Sequence, residues 1–401
     1  MMNPTLVLAD HRAGRWRTSE IAGAPGPWSR ATLAEHAGLL TLPATAPGGA
    51  RAVFADDALG TLVVLDGAGQ VRRVPVAIPA EHLACDPSGR YVVVSTGLGA
   101  SGDPWSDLVT VVDLADPSGT TAVRVRVRTG EPGVVIVPDV GTGEPMVVLR
   151  HREPGEAEVI PLQELLRAGP HCPVVRGERL GLQGDLGHGD AADHRTGVVH
   201  LSTEAGIERL RVTGGRPERL QTWPWPVPGR AYFLRFDPTT GIVCSVRGAD
   251  SDAEQWHTWT NHVVRWSRDG AADVTRTGDG LVFRPDAVGG AVAWTVVHPD
   301  GDRLAMLIGD RVSEIELAPM SAAPRPGVAP WDPVGDKPAQ RRALALVSGD
   351  LAAVTRGGDG ELHLVRPTGI ETTIDLGSPF DEGGHLGVIR APETWVDGVG
   401  R

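Results

Sequence analysis

The chain has almost no lysine. Lys337 is the only one in 401 residues, so arginine carries nearly all the positive charge, and the formal net charge is -12. That balance argues against nucleic acid or an anionic membrane as a partner. The arginine bias fits a GC-rich bacterial genome. Cysteine is scarce as well. Cys85, Cys172 and Cys244 are odd in number and far apart, which excludes a disulfide framework and a cysteine zinc site. No apolar run is long enough to span a bilayer, and MMNPTLVLADHRAGRW reaches Asp10 too soon to be a signal peptide. A cytoplasmic location is the resulting expectation. Helical periodicity is nearly missing too; the best candidate, Leu162 to Ala168, makes about two turns.

What the chain does have is a repeated hairpin. Ile78 to Thr96 (IPAEHLACDPSGRYVVVST) opens a strand at Glu81-His82, turns at Asp86-Pro87-Ser88-Gly89 and returns along Tyr91 to Ser95. Proline and glycine fix the turn, and Val92-Val93-Val94 suits a pleated, buried surface. The same frame returns at Gly187 to Thr203 and Tyr232 to Val246, and more loosely at Trp294 to Leu307. Glycine (52) and proline (33) are spread along the chain, as many turns require.

Strand-like runs grouped in fours give blocks of roughly 45–50 residues, the size of a propeller blade. Seven blocks begin near Leu33, His82, Val134, His188, Ala231, Gly290 and Arg342. The N-terminal TLVLADHRAGRWRTSEI and the C-terminal GGHLGVIRAPETWV remain, and together they could form a composite blade that closes the ring. That makes eight. The block at Gly290 is weak and could share strands with its neighbours, which would leave seven. The expected fold is therefore all-β, a single β-propeller over residues 1–401. It has seven blades of four antiparallel strands, with eight open, closed by the N- and C-terminal strands. Ala318 to Ala339 is too rich in proline for regular structure and reads as a long inter-blade loop.

In a propeller the innermost strands start near one mouth of the central channel, so residues at those starts converge. Four histidines fall there: His36, His82, His188 and His385, each preceded closely by an acid (Glu35, Glu81, Asp185, Glu382). Imidazoles suit a divalent metal such as iron or zinc, with carboxylates behind them. Glu35, Glu81 and His257 are candidate catalytic groups, since imidazole titrates near neutral pH. Long loops add tryptophan to the same face: Trp105, Trp256 and Trp259, and Trp223 ahead of an inner strand. These suggest a wall for an apolar, aromatic or sugar-like ligand.

The four histidines at inner-strand starts, with turns after His82 and His188 (ACDPSGRY, GDAADHRTGVVH), make the arrangement similar in kind to the carotenoid cleavage oxygenases. That resemblance implies a seven-bladed propeller whose inner strands supply four histidines to an Fe(II) centre. Two functions follow as expectations. One is an enzyme, oxygenase- or lyase-like, acting on an apolar or aromatic small molecule at the channel mouth. The other is a non-catalytic propeller serving as a platform for a protein partner.

Overall fold

The computed structural model describes residues 4–21, 23–31, 38–67, 69–97, 107–116, 122–128, 130, 132–185, 187–248, 252–336, 339–379 and 385–390. They form eight four-stranded antiparallel sheets. Numbered around the ring, blades 1 to 8 have inner strands His385–Ile389, Leu39–Thr41, Ala80–Cys85, Gly133–Pro138, Asp190–Asp193, Arg230–Asp237, Asp286–Val288 and Leu344–Ser348. Each inner strand packs beside the next, and His385–Ile389 lies between those of blades 8 and 2. The all-β propeller expectation holds, at eight blades rather than seven. The terminal pieces do form one composite blade: Thr5–Asp10 pairs with His385–Ile389 on one side and Arg15–Glu20 on the other. Thr5–Asp10 and Arg15–Glu20 are its second and third strands, and Ser29–Arg30 supplies a short fourth. The weak block at Gly290 is a full blade as well. Its inner strand is three residues long, Asp286–Val288, too short to register as a strand in sequence.

The strands read as continuous apolar runs because both faces of every blade are covered. In blade 2, Val53 and Ala55 point towards blade 3, while Ala52 and Phe54 point towards blade 1. Alternation puts successive side chains on opposite faces, and here both faces are core. The pattern repeats around the ring as one apolar cluster at each of the eight blade interfaces. The predicted helix is present as Leu162–Arg167; it buries Leu162 and Leu165 against blade 3. Among the described residues, no helix is long and apolar enough to cross a membrane.

The hairpin frame has a specific fastener. Asp86 closes its turn by accepting from the Tyr91 N–H at 2.6 Å and the Ser88 N–H at 3.1 Å. Asp139 and Asp237 do the same and also reach the next blade. Asp139 accepts from Gly141 (2.8 Å) and Thr142 (3.0 Å) in its own turn, and from Gly215 of blade 5 at 2.7 Å. Asp237 holds Thr240 at 2.8 Å and Gly289 of blade 7 at 2.9 Å. Burial alone would push the Asp139 carboxyl up, but backbone N–H donors from Gly215, Gly141 and Thr142 outweigh it and hold it below the usual carboxylate range.

Asp139→Ala should therefore cost about 2 kcal/mol at pH 7, since it removes three hydrogen bonds to a buried carboxylate, one of them from the next blade. A depressed carboxylate stabilises fully above its unfolded pKa and loses that contribution as pH falls through the folded one. In thermal unfolding the gap between wild type and Asp139→Ala is expected to be widest above pH 5 and to shrink with further acidification.

Candidate functional site

The mouth of the channel is a cavity of about 510 Å³. Strand direction explains its lining. Inner strands begin there, so it collects His82, His188 and His385 together with Glu81, Asp190, Phe233 and Leu344. His11 joins them from the turn after Thr5–Asp10, since Ala9 pairs with His385. Phe283-Arg284 and Arg341-Arg342 arrive on the segments leading into the inner strands of blades 7 and 8.

The imidazoles come together as two pairs. The rings of His82 and His188 are 6.5 Å apart, and those of His11 and His385 are 5.7 Å apart. Among the described residues, no three His, Cys, Asp or Glu side chains gather to hold an ion. His36, Glu35 and Glu382 lie outside the described residues. The four-histidine iron or zinc centre is thus not assembled from His82, His188 and His385. Three protein ligands are the usual minimum for a catalytic zinc, and two separate imidazole pairs fall short of it among the described residues. Asp185 does not back an imidazole either; its carboxylate accepts from the Gly155 N–H at 2.5 Å. Glu81 does line the cavity, buried, and glycine at position 97 makes room for it. A Cβ there would sit 2.6 Å from the Glu81 Oε2.

His188 is the chemically distinctive group. Burial, then the Arg150 cation and the neighbouring His82 imidazole, push its pKa down to about 4. Arg150 is itself almost fully buried, donating from Nε to the Asp190 carboxylate at 2.5 Å and from Nη1 to the Gly187 carbonyl at 2.6 Å. It thus ties the Gly187 carbonyl before His188 to the Asp190 carboxylate after it. The imidazole also packs edge-on against Tyr232 and Phe233, at 6.0 and 5.8 Å. At neutral pH it is an uncharged base in a half-apolar setting.

Across Phe233 sits Arg284. Its Cζ lies 4.0 Å from the Phe233 ring centre and 5.2 Å from that of Phe283. Burial and the adjacent Arg341 lower its pKa to about 10. Among the described residues no carboxylate pairs with it, and its buried Nε has no hydrogen-bond partner. Arg342 contrasts with it, being neutralised by Asp302 at 2.7 Å.

The tryptophan expectation needs correcting. Trp256 and Trp259 are buried, not mouth-lining. Trp256 donates from its Nε1 to the Arg325 carbonyl at 3.1 Å, and Trp259 to the Asp252 carbonyl at 2.7 Å. With Leu281, Val297 and Met320 they form a small core beneath the proline-rich crossover between blades 7 and 8. Trp223 is wedged between blades 5 and 6 beside Trp266. His257, half-buried against Trp256, does not line the cavity. Trp105 lies outside the described residues. The aromatic wall is instead Phe233, Phe283 and Trp331, the last carried by the crossover itself. Their signal was available: Tyr232-Phe233, Phe283-Arg284 and Arg341-Arg342 all stand at or just before inner strands.

No protein-family model matches the chain, and no curated protein matches it. Among solved structures it is similar to AztD from Citrobacter koseri. The apo structure aligns with a TM-score of 0.63 and 13% identity, over 97% of this chain and 98% of that one. A second structure of that protein gives 0.64 and 11%, over 98% and 100%. The chain is also similar to the dihydro-heme d1 dehydrogenase NirN in complex with DHE, with a TM-score of 0.61 and 13% identity over 96% of this chain and 75% of that one. At these identities the likeness is one of fold. The ring has eight blades where the carotenoid cleavage oxygenases have seven, so that resemblance goes no further.

His188 should titrate by NMR with a midpoint of about 4. A lowered histidine pKa means that the unfolded chain takes up the proton first. Wild type should thus lose thermal stability relative to His188→Asn as pH falls from about 6.5 towards 4, with no further divergence below it.

Proposed function

We propose that the channel mouth binds an acidic small molecule with a flat, apolar body, and that His188 acts on it as a general base. The observation that carries this reading is Arg284, a cation held between two phenyl rings with no carboxylate partner among the described residues. A half-buried guanidinium without a counter-ion carries a desolvation cost, and a bound carboxylate would relieve it. Phe233 lies between Arg284 and His188, so an anion and a base would flank one phenyl ring.

The chemistry that fits is proton transfer within the bound acid, as in an elimination or isomerisation. His188 takes a proton from a carbon of the ligand. The imidazolium so formed returns it to the leaving group or to a second carbon, which leaves the enzyme unchanged. His82, with its ring 6.5 Å away, is placed to orient the ligand or share that proton.

The test compares cinnamate and phenylacetate with their alcohols by calorimetry. The acids should bind, and Arg284→Gln should weaken them roughly 10- to 100-fold, the span of one charge-assisted pair, without affecting the alcohols. In a substrate screen His188→Gln should retain binding and lose turnover. Equal binding of acids and alcohols would overturn the reading. The mouth would then better suit the protein-docking platform.

A further inference from the structure

A second cavity, of about 320 Å³, opens beside the mouth. The two share Phe233, Phe283, Trp331 and Arg341, so they form one bent site with a common junction. The side cavity is walled by aromatic and apolar groups: Tyr232 and Phe233 of blade 6, Leu281 and Phe283 before blade 7, Pro330 and Trp331 of the crossover. Its size is at the lower end for small-molecule sites, suited to a ring system and not to a polymer. Phe233 and Phe283 meet edge to face at 5.5 Å, an arrangement that leaves ring surface for a further aromatic.

The polar groups are few and placed at two ends. Arg341 stands at the junction, its Cζ 5.1 Å from the Phe283 ring centre. Arg247 and Ser245 line only the side cavity. Arg247 is held rigidly: it donates to the Tyr232 hydroxyl at 2.8 Å and lies 4.3 Å over the Trp259 ring. The Ser245 Oγ is buried and has no hydrogen-bond partner. A buried hydroxyl without a partner calls for a ligand or water. Trp331 is 55% exposed, unusual for so large an apolar group. Its crossover is nonetheless pinned, with Gly327 donating to the Glu254 carbonyl at 2.9 Å and Trp256 holding the Arg325 carbonyl. Trp331 is thus presented to the site on a fixed support.

We infer that the side cavity is the specificity compartment of the mouth site, and that its ligand is an aromatic acid bearing an oxygen substituent on the ring. The ring fills the side cavity against Phe233, Phe283 and Trp331. The acid group lies at the junction between Arg341 and Arg284, which both approach the Phe283 ring, and the ring oxygen faces Ser245 and Arg247. The inference rests on the mouth being a small-molecule site, and it adds the identity of what fits.

Fluorescence titration with 2-naphthoate, 6-hydroxy-2-naphthoate and 2-naphthol tests it. The hydroxynaphthoate should bind several-fold more tightly than naphthoate, and Ser245→Ala should remove that advantage. Arg341→Gln should weaken both acids at least tenfold and leave naphthol unchanged. Ser245→Phe, which fills the cavity, should abolish all three; if it fails to fold by circular dichroism, Trp331→Ala replaces it, with a tenfold loss expected. Undiminished naphthoate binding in a folded Ser245→Phe or in Trp331→Ala overturns the inference, as does equal loss of acid and naphthol in Arg341→Gln. Acetate provides the separate check on the mouth itself. It should shift the His188 NMR resonances in wild type but not in Arg284→Gln. If acetate has no effect while the naphthoate pattern holds, the mouth reading fails and the side cavity stands. The converse result leaves the mouth and removes the side cavity.

Discussion

Everything in this molecule depends on one short ladder. Thr5–Asp10 pairs with His385–Ile389 from the far end of the chain, in register from Thr5 opposite Ile389 to Ala9 opposite His385. Without it, blades 2 and 8 would each present an uncovered face, and the apolar clusters on either side of blade 1 would be open to water. Ring closure removes that exposure without requiring any one blade to be stable alone. The same ladder sets the mouth. It brings His385 beside His11, although 374 positions separate them in sequence, and completes the circle that faces His188.

The architecture was legible because its determinants are local and repeated. The D-P-S-G turn, the β-branched second strand and the turn aspartate recur, and each has a mechanism that holds wherever it occurs. Blade number was the uncertain part. Blade 7 hides its inner strand in three residues, Asp286–Val288, and no propensity argument finds a strand that short. Its existence is decided by neighbouring blades, through contacts such as the Asp286 carboxylate accepting from the Leu346 N–H at 2.8 Å. The register of such a strand belongs to the ring, not to its own sequence.

The site was half legible for a related reason. Inner-strand starts converge, and that rule correctly placed His82, His188, His385 and Glu81 around one cavity. Phe233 obeys it equally, and Phe283, Arg284 and Arg341 sit just upstream, where the chain must already be approaching the axis. The tryptophans misled because a long loop at the mouth face need not face the mouth. The crossover from blade 7 to blade 8 covers the loop that carries Trp256 and Trp259, and their N–H groups are spent on backbone carbonyls within that layer. Only three-dimensional stacking of two distant loops decides this. Sequence offers no local sign of it, beyond the proline density that keeps the crossover out of regular strands and helices.

Three of the arginines fall into two groups, two paired within the fold and one left without a carboxylate among the described residues. Arg150 and Arg342 are nearly inaccessible, and each is paired with a carboxylate, Asp190 and Asp302. Arg342 also donates to the Thr355 carbonyl at 3.2 Å and to the Ala318 carbonyl, tying both ends of the crossover to blade 8. Removing either partner would strand a buried charge, so these pairs belong to the fold. Arg284 is only half-buried, at the cavity wall, and rests on ring faces, which stabilise a cation more weakly than a carboxylate does. In a chain of net charge -12 a counter-ion for it would be easy to supply, yet the described residues supply none. The ring can bear that cost because its stability lies in eight inter-blade cores away from the axis. A charge kept unneutralised on such a rigid frame needs little reorganisation when an anion arrives, and that is the condition under which it binds most strongly.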